Sequence, residues 1–410
     1  MKVLYVTQYF SPEPVHASTV TTYEIVKRLA QKGHRVYVVS AFSPGAARVY
    51  EEANECRFIN SFPIPEFPAK WYDGLTTFLT HTILHAPLVV TSMHMHNLCE
   101  GFDAIISMFH PTHMATVSAF LLSTILKVPL VVKIHDFIIE ATDPNILKRT
   151  YNKVIGNINF RILKKGGAIL AQSPELVDVV KTQAGIDEKR TVIFPNGVDT
   201  HLFRPGIRAT GLRKRLGLEG KSVVLFVGGL HEGRHPELLV KALPSIVHEI
   251  KHLELLFVGE GPDKSRLLSL AKHLGVGENV RFLGSVEHSM IPEFISLADV
   301  TVGPLTVTYN STMYGSTPRT VSEYMACGKP VVVPRGAVSE SLVIGDYNSV
   351  LFEPGDVHEL SSAVVSLIED KGLRKYIGRN AREHVEKVSS WDVLIARLEN
   401  LLYSLVDSAT

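Results

Sequence analysis

Five groups of residues have types and spacings that could do chemistry. His231-Glu232-Gly233-Arg234-His235 fits the H-E-x-x-H pattern of zinc peptidases, which works only when both imidazoles share one face of a helix. Gly228 and Gly229 precede it, Gly233 interrupts it, and Pro236 biases His235 away from helical geometry. The segment reads better as a glycine-rich loop between an apolar strand, Val223–Val227, and a helix over residues 237–250. In that form, backbone N–H groups and the helix N-terminus attract an anion, and Arg234 offers a forked donor to phosphate oxygens. A tight turn with a solvated Arg fits the same spacing.

The second anion candidate is Gly315-Ser316-Thr317-Pro318-Arg319-Thr320-Val321-Ser322-Glu323. Thr317 suits a helix N-cap and Pro318 the first helical position, with Arg319 beside the exposed N–H groups. Glu323 could accept two hydroxyls of a ribose, although Thr320-x-x-Glu323 also fits a capping box. In Lys133-Ile134-His135-Asp136 a strand ends, so His135 could be a proton donor or a polar wall, or be satisfied by Asp136 or backbone. The pairs His81/His85, His94/His96 and His110/His113 lack partners at metal-binding spacing and read as scattered histidines. Finally, no acidic residue lies between Asp143 and Glu175, while Lys148, Arg149, Lys153, Arg161, Lys164 and Lys165 do. Leu147, Tyr151, Val154, Ile158 and Ile162 recur there at helical spacing. That pattern predicts a packed helix with a basic face, or one lying on an anionic membrane through 145–165.

These groups need a scaffold, and the sequence supplies one by alternation. Strands are predicted at Val3–Thr7, Val36–Ser40, Ala104–Ser107, Leu130–Lys133, Ile169–Ala171 and Thr191–Ile193, with helices such as Thr19–Gln31 between most of them. After the turn signal Phe194-Pro195-Asn196-Gly197 the pattern restarts. Val223–Val227, Leu255–Val258, Val280–Leu283, Val300–Val302, Val331–Val333 and Val350–Phe352 follow. Strand–helix alternation predicts an α/β protein of two Rossmann-like, doubly wound parallel-sheet domains. Ligands then bind beyond the strand C-termini, by default in a cleft between the domains.

Composition excludes several classes. The chain has 410 residues, 42 Lys+Arg against 41 Asp+Glu, and 45% hydrophobic content. That is globular, and without the basic excess of a dedicated nucleic-acid binder. Cys56, Cys99 and Cys327 are an odd, scattered set, and the N-terminus shows no small-residue cleavage site. A reducing, cytoplasmic setting is expected. Lys127, Pro129 and Lys133 break the longest apolar region, so no membrane span is expected.

Taken together, these segments resemble the retaining glycosyltransferases of family 4, also called glycosyl transferases group 1, which have the GT-B fold. Residues 6–14 and Gly33-His34-Arg35-Val36 are similar to the family's first strand, loop and helix. Phe194-Pro195-Asn196-Gly197-Val198-Asp199 resembles its interdomain signature. Val258-Gly259-Glu260-Gly261-Pro262, Val280-Arg281-Phe282-Leu283-Gly284 and Ala298-Asp299 resemble nucleotide-domain motifs. Glu323-Tyr324-Met325-Ala326-Cys327-Gly328-Lys329-Pro330-Val331 is the most specific match, and Ser389-Ser390-Trp391-Asp392 resembles the start of the last helix.

The resemblance implies an acceptor-binding domain over 1–200, rejoined by a final helix at 389–410, and a nucleotide-sugar domain over 201–388. It implies metal-independent transfer from a nucleoside-diphosphate sugar to a glycan or lipid-linked glycan, without a resident cofactor. Some relatives work at the inner membrane face, which would make a peripheral contact useful. By matching positions, Glu323 would bind the donor ribose, Arg234 would stand where the family has a Lys on the diphosphate, and His135 would lie near the transferred sugar. Gly228, Gly229, Glu260, Leu283, Ser316, Thr317 and Arg319 would complete the donor side, with His16 and Ser18 on the acceptor side. Three positions depart from the pattern: Gly315 replaces a sugar-contacting Glu, Gly229 replaces an Arg, and Val15-His16-Ala17 replaces a glycine pair. These departures motivate a second reading, a catalytically weak nucleotide-sugar-binding partner of the same fold.

Overall fold

The structure, a computed structural model, describes residues 1–7, 17–40, 57–60, 101–110, 114–134, 146–303, 305 and 316–409. The chain divides into two compact units, Met1–Phe194 with Leu394–Thr410, and Pro195–Val393.

The first unit is built on a seven-stranded parallel sheet. Its strands are β1 (Lys2–Val6), β2 (Arg35–Ser40), β3 (Arg57–Asn60), β4 (Ala104–Phe109), β5 (Leu130–Ile134), β6 (Ala168–Ala171) and β7 (Thr191–Ile193), in the order β3-β2-β1-β4-β5-β6-β7. Runs such as Val3-Leu4-Tyr5-Val6 are buried without alternation, as expected for strands covered on both faces. Helices α1 (Ala17–Gln31), α2 (Ala115–Leu126), α3 (Ile146–Lys165) and α4 (Pro174–Ala184) connect them. The Arg190 guanidinium donates to the carbonyls of Leu163, Lys164, Gly166 and Gly167, and so satisfies the C-terminal end of α3.

The second unit repeats the plan with β8 (Ser222–Val227), β9 (Leu253–Val258), β10 (Val280–Phe282), β11 (Val300–Val302), β12 (Val331–Pro334) and β13 (Val350–Phe352). The order β10-β9-β8-β11-β12-β13 is that of a dinucleotide-binding fold, reversing between β8 and β11. Phe226, Phe257 and Phe282 face one another across β8, β9 and β10, with centroids 5.6 and 5.0 Å apart, and fix the register. Its helices include α5 (Glu237–Glu249), α6 (Arg319–Ala326), α7 (Val357–Glu369) and α8 (Lys371–Val388). The last helix, α9 (Trp391–Ala409), starts where Val198 N–H donates to Ser389 O at 2.9 Å and the indole of Trp391 covers Gly197. A Cβ at Gly197 would fall 2.4 Å from that ring, which explains the glycine. Further along, Glu399 holds Lys32 at 2.7 Å and His34 at 2.8 Å.

Lys133, at the end of β5, is fully buried, and its Nζ donates to Phe194 O. Burial pushes its ammonium down to about 7. The unfolded chain therefore holds this proton over a window, from about 7 to the ordinary lysine value, in which the folded chain has lost it. Stability should rise with pH through that window, by a few kcal/mol at most. Denaturant melts at about pH 7 and about pH 9.5 should show the rise in wild type and not in Lys133→Met. Equal slopes in the two proteins would refute a buried titrating lysine.

Candidate active site

The topological switch between β8 and β11 places the loop after β8 where a ligand pocket forms in such sheets. Gly228 leaves β8 at φ +148° and donates to Val258 O at 2.9 Å. Leu230 N–H donates to Glu260 O, and Asp263 N–H to Leu230 O, both at 3.0 Å. The loops after β8 and β9 thus join backbone to backbone, and glycine makes this possible. A Cβ at Gly261 would lie 2.1 Å from Leu230 O, and one at Gly259 would lie 2.0 Å from Gly228 O. Gly261→Ala should cost about 1–3 kcal/mol through this backbone conflict, read as a lower thermal midpoint. An unchanged midpoint would show that the loops can separate freely.

Past Gly229 the chain makes a 3-10 turn, Glu232–Arg234, and His235 takes a left-handed conformation at φ +48°. His231 is exposed, and His235 Nδ1 lies 3.1 Å from Glu237 Oε1. The two histidines share no helix face, so zinc-peptidase geometry is absent, and no metal-binding cluster occurs among the described residues. The side chain of Arg234 is partly buried and folds back over Gly228, its Nη1 3.2 Å from where a Cβ would sit. No carboxylate pairs with it among the described residues. Burial, and to a lesser degree the nearby Arg319 cation, disfavour its charge; the Tyr324 phenol opposes them. A guanidinium does not deprotonate in response, so the site holds a cation without a counter-anion.

Helix α6 supplies the other side. It starts at Arg319, with Pro318 at the N-cap and no capping side chain. This corrects the expected Thr317 cap. Thr317 is fully buried: its Oγ1 accepts from Asn196 N–H at 3.1 Å and its carbonyl from Asn196 Nδ2 at 2.9 Å. Its hydroxyl oxygen and its carbonyl therefore tie Asn196 to the segment before α6. Ser316 is half-buried and its carbonyl accepts from Ser339 N–H at 2.8 Å. The capping box does not form either, because Thr320 lies inside the helix and Glu323 turns elsewhere. Glu323 is only 4% exposed. Its Oε1 lies 2.8 Å from His288 Nε2 and 3.3 Å from Arg319 Nε. Oε2 has no protein partner among the described residues. Next to it, the buried Tyr324 hydroxyl accepts from Val227 N–H at 2.7 Å and fixes α6 to the end of β8. Burial raises that phenol far above its usual range, so it stays neutral beside Arg234.

The structure thus brings together Gly228, Gly229, Arg234, Arg319 and Glu323. Leu283 N–H is used by Phe257 O at 2.9 Å, in the strand that flanks this loop. Glu260 is exposed and paired with Lys264 at 2.9 Å. His135, His16 and Gly315 lie outside the described residues, as do Cys56 and Cys99; Ser18 lies in the first turn of α1, with its side chain undescribed. His288, Asn196 and the role of Tyr324 were not expected. His288 follows β10 by six residues, and only its position against α6 gives it meaning.

Two family models match the chain. "Glycosyltransferase Family 4" spans residues 18–202 and "Glycosyl transferases group 1" spans 210–384. The chain belongs to glycosyltransferase family 4. An uncharacterized glycosyltransferase of Methanocaldococcus jannaschii is 23% identical over 414 residues, 98% of this chain and 97% of that protein. A GDP-mannose-dependent monoacylated alpha-(1-6)-phosphatidylinositol monomannoside mannosyltransferase of Corynebacterium glutamicum is 29% identical over 215 residues. That match spans 52% of this chain and 55% of the relative, so the chain aligns with about half of its length. Anabaena HepE in complex with UDP superposes with a TM-score of 0.75 at 21% identity, covering 98% of this chain and 100% of HepE. At that identity the likeness establishes the GT-B fold of family 4.

Proposed function

We propose that this family 4 glycosyltransferase moves a sugar from a nucleoside-diphosphate sugar to a hydroxyl of a glycan or lipid-linked glycan, with retention at the anomeric carbon. The observation that carries the reading is the Arg234 guanidinium, partly buried and, among the described residues, without a carboxylate, close to Arg319 and the N-terminus of α6. A diphosphate supplies the missing anion. Glu323 Oε2 receives the ribose hydroxyls, and the backbone around Leu283 borders the base. The sequence resemblance and the UDP and UDP-glucose held by the structural neighbour HepE support this assignment.

In the reaction the bond from the anomeric carbon to the diphosphate breaks as the acceptor oxygen bonds to that carbon on the same face. The acceptor proton passes to the departing phosphate. Arg234, Arg319 and the α6 amides stabilise the charge that develops there, which is the largest contribution such a site can make. The chemistry proposed needs no metal, and His135 is assigned to the transferred sugar by resemblance alone. A setting in the cytoplasm belongs to the same proposal.

The test is turnover of a panel of nucleoside-diphosphate sugars with glycan and lipid-linked acceptors, reading the product's anomeric proton by NMR. Retention is expected; an inverted product overturns the mechanism. Gly229 favours the second reading, a binding partner of low activity. There, a Cβ would lie 2.9 Å from the His231 ring, so the family's Arg side chain is replaced by an imidazole lying over the loop. Binding of a donor without hydrolysis or transfer across the panel would favour it.

A further inference from the structure

The spacing over 145–165 fits either a packed helix or one lying on an anionic membrane, and the structure places Val154 and Ile158 outward. Among the described side chains of α3, Ile155, Asn159, Ile162 and Leu163 are buried. Val154 is 51% exposed and Ile158 37% exposed, and Arg161 and Lys165 continue the same edge of the helix. The neighbouring α2 packs beside α3 and carries no charged residue, yet leaves Leu121 42% and Ile125 61% exposed. Lys127, at its left-handed C-cap, is exposed as well. Arg149, Lys153, Arg161, Lys164 and Lys165 are all exposed on α3, and neither helix contains an acidic residue.

We propose that this α2–α3 face of the N-terminal unit docks on an anionic lipid bilayer. Four aliphatic side chains stand clear of the core, on two helices that are charged only by lysine and arginine. Aliphatic groups of this kind enter the headgroup boundary, while long basic side chains reach the phosphates and keep their stems on apolar surface. The charge argues for lipid over a second copy of the chain, since a symmetric contact would bring two identical basic rims together. None of these residues belongs to the donor site, so the inference stands or falls separately from the proposed reaction. If both hold, the transferase works where a lipid-linked acceptor is presented.

Full-length protein sedimented with phosphatidylcholine vesicles, with or without phosphatidylglycerol, provides the test. Binding should require the anionic lipid and weaken at high salt. A Lys153→Glu, Arg161→Glu, Lys165→Glu variant should bind about tenfold or more weakly, while Lys153→Arg with Lys165→Arg keeps wild-type binding. Ile125→Ser with Ile158→Ser should also weaken binding at low salt, with an unchanged thermal transition showing that the protein folds. Should either variant misfold, the lipid and salt dependence of the wild type still decides. No binding to anionic vesicles at low salt overturns the proposal, and so does equal binding by all variants. It also fails if Ile125→Ser with Ile158→Ser abolishes a concentration-dependent dimer while vesicle binding stays at the wild-type level.

Discussion

Arg234→Ala should slow glycosyl transfer by about a hundredfold or more without lowering the thermal midpoint of the unliganded protein. The two expectations have one cause. The guanidinium is held partly out of water, over Gly228, with no carboxylate among the described residues to offset the cost. In the free protein this charge is a liability, and removing it relieves unpaid desolvation. In the proposed donor complex, the same charge would face the bridging and terminal phosphate oxygens as the leaving group acquires charge. The loss should therefore fall on kcat at saturating donor, and nucleotide should raise the midpoint of wild type but not of the variant. Arg234→Lys keeps the charge but not the fork, and should lie between the two. A variant that melts several degrees lower yet turns over normally would make Arg234 a structural residue.

Glu323→Gln should raise the KM for donor by roughly ten- to a hundredfold, the value of charge-assisted hydrogen bonds to a diol, with a smaller effect on kcat. The carboxylate is almost fully buried, and its Oε1 is already engaged by His288 and Arg319. Those two contacts fix its orientation and leave Oε2 without a protein partner among the described residues, as the proposed ribose contact requires. Both partners are partly solvent-exposed, so the amide variant should fold. His288→Ala serves as its control: if His288 only orients Glu323, the loss in donor affinity should be smaller than for Glu323→Gln. A KM unchanged in Glu323→Gln would remove the ribose assignment.

The scaffold was legible because parallel strands announce themselves. Val223–Phe226 and Val300–Val302 are buried on both faces, so their apolar runs need no alternation to be read. Strand β3, Arg57-Phe58-Ile59-Asn60, escaped notice because it is short, polar at both ends and paired to β2 alone. On α3 the spacing of Val154 and Ile158 suits burial as well as exposure, and only packing beside α2 decides between them. The site was half legible. The glycines of 228–233 signalled a strand-to-helix loop, and the same glycines with Pro236 argued against the zinc pattern. What the string could not carry is the company each side chain keeps. Thr317 has the chemistry of a cap but is claimed by Asn196, 121 positions away in the chain. Thr320 and Glu323 have the spacing of a capping box, yet the helix begins at Arg319, which leaves the carboxylate to His288. Arg234 is informative because no carboxylate among the described residues pairs with it, and an absence of that kind has no signature in one dimension.

Calorimetric titration of nucleoside diphosphates and their sugars into wild type, Arg234→Ala and Glu323→Gln tests the donor site most directly. Wild type should bind at least one nucleoside diphosphate at a single site, Arg234→Ala should lose most of that affinity, and Glu323→Gln should lose it for the nucleoside part. No binding of any nucleoside diphosphate by the wild type, or equal binding by all three proteins, would contradict a sugar-nucleotide site between the loop after β8 and helix α6.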